Sequence, residues 1–349
     1  MSINKDSYCS EKTKSTFVLI LVDGIFIPVF QDMLRDGELP GFQSLIKKSA
    51  YTFDAKTVYP PIIHPAVASL FYSKLPQHFN ESFYDDLLED YFGLVYKPNT
   101  YYKGKEAYSD FHSLFNILDH ANKTSAITGA WPKFVDVVNT GNATNMLFAP
   151  YSDAYNPSFF SIAINNIKNF FYISHDMPKN IESPAIDESI EKVMRLKADF
   201  VFIYFENLDL QGHRYGTGNE YKNALKEIDT SIEKFQYFLC NNDYTIIISD
   251  HGRDDKYSHS HHSEFIHNAM SIPIIFYGKN VTYHKIHQTI TISDISPTIA
   301  NILGVDKELY VDHFDGKDFS KGIFSTEVYE ELNDKDQLSS VIGNPHEDL

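Results

Sequence analysis

The chain has 349 residues, of which 43% are hydrophobic, and a formal net charge of -17 at pH 7. The hydrophobic share is sufficient for a large core, in one large domain or two medium ones. The negative charge argues against a basic face for nucleic acid and against docking on anionic lipid. We therefore expect neither nucleic acid nor a membrane among its partners.

The N-terminal residues 1–15 are polar and charged, and they lack the apolar core of a signal peptide. They predict a flexible arm and a cytoplasmic protein. The two cysteines, Cys9 and Cys240, indicate neither a disulfide framework nor a zinc–thiolate cluster. The first apolar run, residues 17–22 (FVLILV), is too short to span a membrane.

Apolar runs and helical patterns then alternate along the chain. The run 17–22 is typical of a strand buried on both faces, and helical patterns follow it in PVFQDMLRDG and LPGFQSLIKKSA. The further predicted strands are 124–128, 199–205, 244–248 and 272–277, and the later predicted helices are 219–240 and 294–303. This alternation predicts an α/β fold in which a mostly parallel sheet is flanked by helices.

Two regions fit the alternating pattern poorly. Residues 78–118 are rich in aromatic side chains and predict a small cap or insertion. Residues 306–349 are polar and predict a C-terminal extension. The main domain is therefore expected to comprise residues 16–305.

Carboxylates and imidazoles recur at the carboxyl ends of the predicted strands, where open α/β sheets form their sites. Asp23 follows the first strand, 209–213 (DLQGH) follows the third, and 250–252 (DHG) follows the fourth. Taken alone, Asp23 is typical of a helix cap or a turn residue, and the histidine-rich stretch 258–264 is typical of a solvated loop. Together these groups suit zinc or manganese, because burying them without a metal leaves unpaired charges.

These motifs resemble the alkaline phosphatase superfamily, in particular its nucleotide pyrophosphatase/phosphodiesterase branch. The resemblance covers about residues 16–305. VLILVDG is similar to the opening strand of that family and its first metal aspartate, and SDHG at 249–252 is the most specific match. The other similar segments are DLQGHRYG at 209–216, AWP at 130–132, Asp229 and TISDISPTIA at 291–300.

The resemblance implies an alkaline phosphatase-like catalytic domain with two divalent metal ions, zinc by expectation, with manganese or iron as alternatives. One implied metal site uses Asp23, Asp250 and His251. The other uses Asp209, His213 and a later histidine, for which both His259 and His261 are candidates. His261 is favoured because His-x-Ser-Glu resembles a loop of glycolipid phosphoethanolamine transferases. Trp131 is the implied substrate-binding residue.

The nucleophile loop departs from the family pattern. An alignment anchored on Pro65 and Ser69 places Ile63 where relatives have Thr or Ser. Isoleucine can neither attack phosphorus nor bind a metal, so the usual covalent step is in question. Three alternatives remain: a metal-activated water attacks directly, His64 or Thr57 supplies the catalytic group through a shifted loop, or phosphoryl hydrolysis has been lost.

The sequence therefore predicts a two-metal-dependent hydrolase or transferase acting on a small phosphodiester, phosphate ester or related oxyanion. One alternative is a metal-dependent enzyme of lyase or isomerase type. Another is a non-catalytic binding relative, although every expected metal position retains Asp or His. The expected partner is a small phosphorylated or oxyanion substrate, and the sequence is compatible with a homo-oligomer.

Overall fold

A computed structural model describes residues 5–79, 111–131, 134–147, 183–254 and 267–324. Most of the expected cap, 78–118, lies outside the described residues. So do both candidate histidines, His259 and His261.

The centre of the molecule is one sheet in which the described residues form eight strands, in the order β4-β3-β5-β1-β6-β7-β2-β8. Strand β7 is antiparallel to both of its neighbours, and the other strand pairs are parallel. The strands are β1 Phe17–Val22, β2 Ser49–Lys56, β3 Ser125–Gly129, β4 Thr144–Leu147, β5 Phe200–Phe205, β6 Tyr244–Ile248, β7 Ser271–Gly278 and β8 His284–Lys285. The predicted α/β class with a mostly parallel sheet is confirmed.

Helices cover both faces of this sheet. They are α1 Lys5–Ser10, α2 Ile27–Arg35, α3 Pro40–Ile46, α4 Ile63–Tyr72, α5 Leu114–His120, α6 Phe134–Val137, α7 Ser183–Arg195, α8 Asn207–Tyr215, α9 Asn219–Phe235, α10 His267–Met270, α11 Ile295–Ile302 and α12 Ser320–Ile323. A hydrophobic core lies on each face of the sheet. Leu19 of β1 packs in one core and Ile20 in the other, because successive side chains of a strand point to opposite faces. Burial on both faces explains why β1 has no polar residue.

All five predicted strands are present, with boundaries within one residue of those expected. Strand β2 was not predicted because its sequence, SAYTFDAK, mixes polar and apolar residues without a clear period. Strands β4 and β8 are short, with four and two residues, and give little pattern to recognise.

Asp229, which the resemblance singled out, stabilises the start of α3. The backbone N–H groups of Gly41 and Phe42 donate to its two carboxylate oxygens at 2.9 Å and 2.7 Å. A side chain at Gly41 would place a Cβ 2.4 Å from the Asp229 carbonyl oxygen. This aspartate therefore has a structural role in joining α3 to α9.

The expected flexible N-terminal arm and unbonded cysteines are both wrong for the described residues. Residues Lys5–Ser10 form α1, and Cys9 is joined to Cys240 by a disulfide bond. The hydroxyl of Tyr8 is buried and donates to the Met194 carbonyl at 2.7 Å. The two cysteines are 231 residues apart, so their spacing gave no sign of this pairing.

The described part of the C-terminal extension is also packed. Phe319 and Ile323 are buried in one core, and the Lys317 N–H donates to Asp294 Oδ1 at 2.7 Å. Residues 306–324 thus continue the domain expected to end at 305.

No helix in the described parts of the chain is long and apolar enough to cross a membrane.

Candidate metal centre

Three adjacent parallel strands position the site. Strand β1 lies between β5 and β6, and Val22 pairs with Phe205 while Leu21 pairs with Ile248. The residues that follow these strands therefore emerge at the same edge of the sheet. These are Asp23 after β1, the turn into α8 after β5, and Ser249-Asp250-His251 after β6.

The turn after β1 is fixed by side chains from neighbouring elements. Gly24 has φ +69°, and a Cβ there would lie 2.5 Å from Asp209 Oδ1. The Ile25 N–H donates to Ser249 Oγ at 2.9 Å, and the Phe26 N–H donates to the Tyr221 hydroxyl at 2.8 Å. These bonds hold Asp23 against the end of β6.

Asp23, Asp250 and His251 form a buried cluster in which one ligand atom from each lies within 4.8 Å of the others. His251 Nε2 lies 3.1 Å from Asp23 Oδ1 and 3.4 Å from Asp250 Oδ2. Neither carboxylate oxygen accepts a hydrogen bond of good geometry from the described residues. Buried carboxylates are costly without partners, so these atoms suit a divalent cation.

The orientations within the cluster are also those of metal ligands. His251 Nδ1 bonds the Gly252 carbonyl at 2.9 Å, which directs Nε2 towards the carboxylates. Metal-binding histidines commonly have such a bond on their other nitrogen. The buried Tyr204 hydroxyl donates to Asp23 Oδ2, and the Gly24 N–H donates to Asp250 Oδ1 at 3.2 Å. Each carboxylate therefore has one oxygen held by the protein and one facing the cluster centre.

The concentration of charge shifts the pKa values of this cluster. Burial, followed by the charge of Asp23, raises the pKa of Asp250 well above its ordinary range. Burial lowers the pKa of His251, but the charge of Asp250 and the contact with Asp23 outweigh it and raise that pKa to about 10. Burial and Asp23 also raise the pKa of Tyr204, which keeps its hydroxyl a donor. Competition among the carboxylates for positive charge favours cation binding.

Asp209 and His213 lie beside this cluster on α8. Four residues apart, they share one helix face, and His213 Nε2 lies 3.0 Å from Asp209 Oδ2. Asp209 Oδ1 lies 3.8 Å from His251 Nε2 and is ion-paired with the guanidinium of Arg253. The structure thus brings five predicted metal ligands together. The sixth, His259 or His261, lies outside the described residues.

The candidate catalytic residues lie at the same edge of the sheet but outside the cluster. Ile63 is the first residue of α4, which puts isoleucine rather than a hydroxyl at that helix N-terminus. The His64 ring meets the Trp131 ring edge-on at 5.3 Å, and Trp131 lies 5.8 Å from the Tyr204 ring. Thr57 follows β2, and its buried hydroxyl has no hydrogen-bond partner in the described regions.

Sequence reasoning missed two residues of the site. Tyr204 is the fifth residue of a buried strand and reads as core, although its hydroxyl contacts Asp23. Arg253 directly follows Asp-His-Gly and is fully buried. The structure explains the glycine at 212, since a Cβ there would lie 2.3 Å from Arg253 Cζ, but the sequence alone gives no sign of this contact.

Comparison with protein-family models identifies the family of this chain. Residues 66–307, more than half of the chain, match the model of the Metalloenzyme superfamily. The chain belongs to the Metalloenzyme superfamily. Divalent metal binding is therefore the property that the family and the buried Asp–His cluster have in common.

Curated relatives include phosphopentomutases. The protein from Acetivibrio thermocellus is 31% identical over 144 residues, a match that covers 39% of this chain and 36% of that protein. The match thus spans about a third of the length of this relative, and a second phosphopentomutase, from Alkaliphilus metalliredigens, is covered to 33%. This similarity is partial and concerns the superfamily rather than one activity.

Solved structures confirm the alkaline phosphatase-like fold. Murine ectonucleotide pyrophosphatase/phosphodiesterase 5 has a TM-score of 0.59 at 10% identity, covering 89% of this chain and 99% of that one. An alkaline phosphatase superfamily protein from Vibrio parahaemolyticus has a TM-score of 0.56 at 14% identity, covering 88% and 70%. The nucleotide pyrophosphatase branch is thus one of several neighbours.

Proposed function

We propose that this chain is a metal-dependent hydrolase or transferase that acts on small phosphodiesters, phosphate esters or related oxyanions. The observation that carries the proposal is the pair of buried oxygens Asp23 Oδ1 and Asp250 Oδ2, which face His251 Nε2 and accept no hydrogen bond of good geometry from the described residues. Zinc is the proposed metal because this donor set suits it, with manganese or iron as alternatives. Membership of the Metalloenzyme superfamily supports the same conclusion.

The three ligands and their supports define what the protein contributes. A bound divalent cation would polarise a substrate oxygen and activate water. Tyr204 holds one oxygen of Asp23, and the Gly252 carbonyl holds the His251 ring, so both ligands are oriented before a metal binds. Trp131, packed between His64 and Tyr204, is the proposed apolar wall for the substrate.

The start of α4 bears on the course of the reaction. Because Ile63 occupies the helix N-terminus, we expect water to attack directly, without a covalent intermediate. A chiral thiophosphate ester would then be hydrolysed with inversion at phosphorus. Net retention would contradict direct attack and favour a side-chain nucleophile. Thr57→Val, which removes the buried hydroxyl, would then be the first variant to test.

The activity is tested with p-nitrophenyl phosphate and bis-p-nitrophenyl phosphate on the metal-replete protein. We expect turnover of at least one of them. We also expect its loss in an Asp250→Asn variant, which retains the shape of the side chain but not its charge. Turnover that survives both this substitution and removal of metal would contradict the proposal.

A second candidate is an isomerase-type reaction on a phosphorylated sugar. The partial similarity to phosphopentomutases favours it, although Ile63 at the start of α4 supplies no side-chain group to carry a phosphoryl. Incubation with a pentose phosphate and analysis of the products by phosphorus NMR distinguish the two. Interconversion of pentose phosphates without release of inorganic phosphate would favour the second candidate. Robust turnover of the nitrophenyl esters would exclude it.

The disulfide bears on where this chemistry takes place. Disulfides persist mainly in oxidising compartments and are rare in the reducing cytosol. The Cys9–Cys240 bond therefore weighs against the cytoplasmic location expected from the polar N-terminal residues. Alkylation of free thiols before lysis, followed by mass spectrometry, tests this: an unmodified, bonded pair indicates an oxidising compartment.

A further inference from the structure

The second metal site implied by the resemblance does not fit the described residues as the first one does. Asp209 would be its central ligand, yet its Oδ1 is already ion-paired with the guanidinium of Arg253. Its Oδ2 lies 3.0 Å from His213 Nε2, as Asp23 Oδ1 lies 3.1 Å from His251 Nε2, so the ion pair with Arg253 is what distinguishes the two sites. Asp209 is also not part of the group of convergent ligand atoms formed by Asp23, Asp250 and His251.

The guanidinium of Arg253 is enclosed by the fold and contacts Asp209 through Nη2, while its Nε and Nη1 donate no hydrogen bond within the described residues. Arg253 has no exposed surface, and its terminal nitrogen also donates to the Asp209 backbone carbonyl at 2.7 Å. It lies directly over Gly212 of α8, where a Cβ would come within 2.3 Å of Cζ. Any larger residue at 212 would push the guanidinium away from Asp209.

The charges favour a single metal ion. Among the described residues, the carboxylates that approach His251 (Asp23, Asp209 and Asp250) and the guanidinium paired with Asp209 together carry a net charge that one divalent cation neutralises. A second divalent cation would leave excess positive charge in a buried site, which is costly without further anionic ligands.

We propose that this chain binds one divalent metal, at Asp23, Asp250 and His251, and that Arg253 takes the place of the second cation beside Asp209. The inference rests on the proposed metal centre, which it narrows from two metals to one metal and a fixed guanidinium. His213 is then a neighbour of Asp209 rather than a metal ligand.

Metal content of the full-length protein tests this directly. The protein is loaded with zinc or manganese, dialysed, and analysed by inductively coupled plasma mass spectrometry. We expect one ion per chain in the wild type and in His213→Ala, whose side chain is half-exposed and replaceable without disturbing the core. Arg253→Lys, which keeps the charge, should also bind one. Arg253→Met, which removes it, should bind two.

The other outcomes contradict the inference in different ways. Two ions in the wild type, falling to one in His213→Ala, would show that Asp209 and His213 bind a metal. One ion in Arg253→Met would show that the guanidinium does not exclude a second cation. If Arg253→Met does not fold, the wild type and His213→Ala still decide between one ion and two. No bound ion in the wild type would overturn the proposed metal centre itself.

Discussion

Buried aspartates lie at both edges of the sheet formed by strands β5, β1 and β6, and the two sets differ in how their hydrogen-bonding groups are satisfied. At the amino ends, Asp243 accepts from Lys12 Nζ with both oxygens and from the backbone N–H groups of Thr16 and Cys240. At the carboxyl ends, Asp23 and Asp250 each have one oxygen without a hydrogen bond from the described residues.

This difference separates a structural carboxylate from a ligand. Burying a charged group is costly unless the protein supplies a counter-charge and donors. The chain supplies both to Asp243, whose partner Lys12 is equally buried. At the other edge it orients the carboxylates of Asp23 and Asp250 but supplies no hydrogen bond from the described residues to one oxygen of each. A bound cation would satisfy these two oxygens.

The largest expected effect on stability is at the edge formed by the amino ends of the strands, where Asp243 is fully hydrogen-bonded. Asp243→Asn leaves the buried Lys12 ammonium without a counter-charge, so the free energy of unfolding should fall by about 3–5 kcal/mol in urea denaturation. The double variant Lys12→Met/Asp243→Asn should recover part of this loss. Equal loss in the single and double variants would show that the ion pair is not responsible.

The disulfide at the same edge should have the next largest effect. It closes a loop of 231 residues, and opening it should lower the free energy of unfolding by about 2–4 kcal/mol. Reductant should lower the free energy of unfolding of the wild type to near that of the Cys9→Ser/Cys240→Ser variant. The variant itself should not respond to reductant. A wild type that is insensitive to reductant would contradict the bond.

At the metal edge, Tyr204→Phe removes the hydroxyl that orients Asp23 while preserving the ring and its packing. Loss of such an outer contact commonly weakens metal binding by about 10–100-fold. Isothermal titration with zinc should show this weaker affinity, with an unchanged number of ions per chain. Unchanged affinity would show that the Tyr204 hydroxyl does not position Asp23.

Asp199, at the amino end of β5, should give the smallest effect and a defined pH dependence. Burial opposes ionisation, but the Lys14 ammonium and the bonds from Thr124 outweigh it and lower the pKa of Asp199. Because Lys14 is half-exposed, Asp199→Asn should cost about 1 kcal/mol at neutral pH. An aspartate whose pKa is lower in the folded than in the unfolded state stabilises the fold at pH values above its unfolded-state pKa. This stabilisation is lost as the pH falls through its folded-state pKa.

The difference between wild type and Asp199→Asn should therefore shrink below about pH 4, near the unperturbed pKa of aspartate. Urea denaturation at several pH values measures it. A difference that persists unchanged in acid would mean that the charge of Asp199 contributes nothing.

The contrast between the edges also explains what the sequence could predict. Strand β1 and the motif Asp250-His251-Gly252 are local patterns, so the sheet follows from the residues themselves, and the resemblance that this motif carries implies the first metal site. The Cys9–Cys240 bond, the Tyr204 hydroxyl on Asp23 and the burial of Arg253 depend on contacts between segments distant in the chain. Spacing along the sequence carries no information on such contacts until the sheet brings the segments together.

Thermal unfolding of the wild type and Asp250→Asn, with and without zinc, tests most directly whether the open carboxylates form a cation site. In Asp250→Asn, an amide replaces a fully buried carboxyl group next to Asp23. We expect the metal-free variant to be at least as stable as the metal-free wild type, and only the wild type to gain stability with zinc. A variant that is less stable without metal, yet gains as much from zinc as the wild type, would contradict a metal centre at this edge.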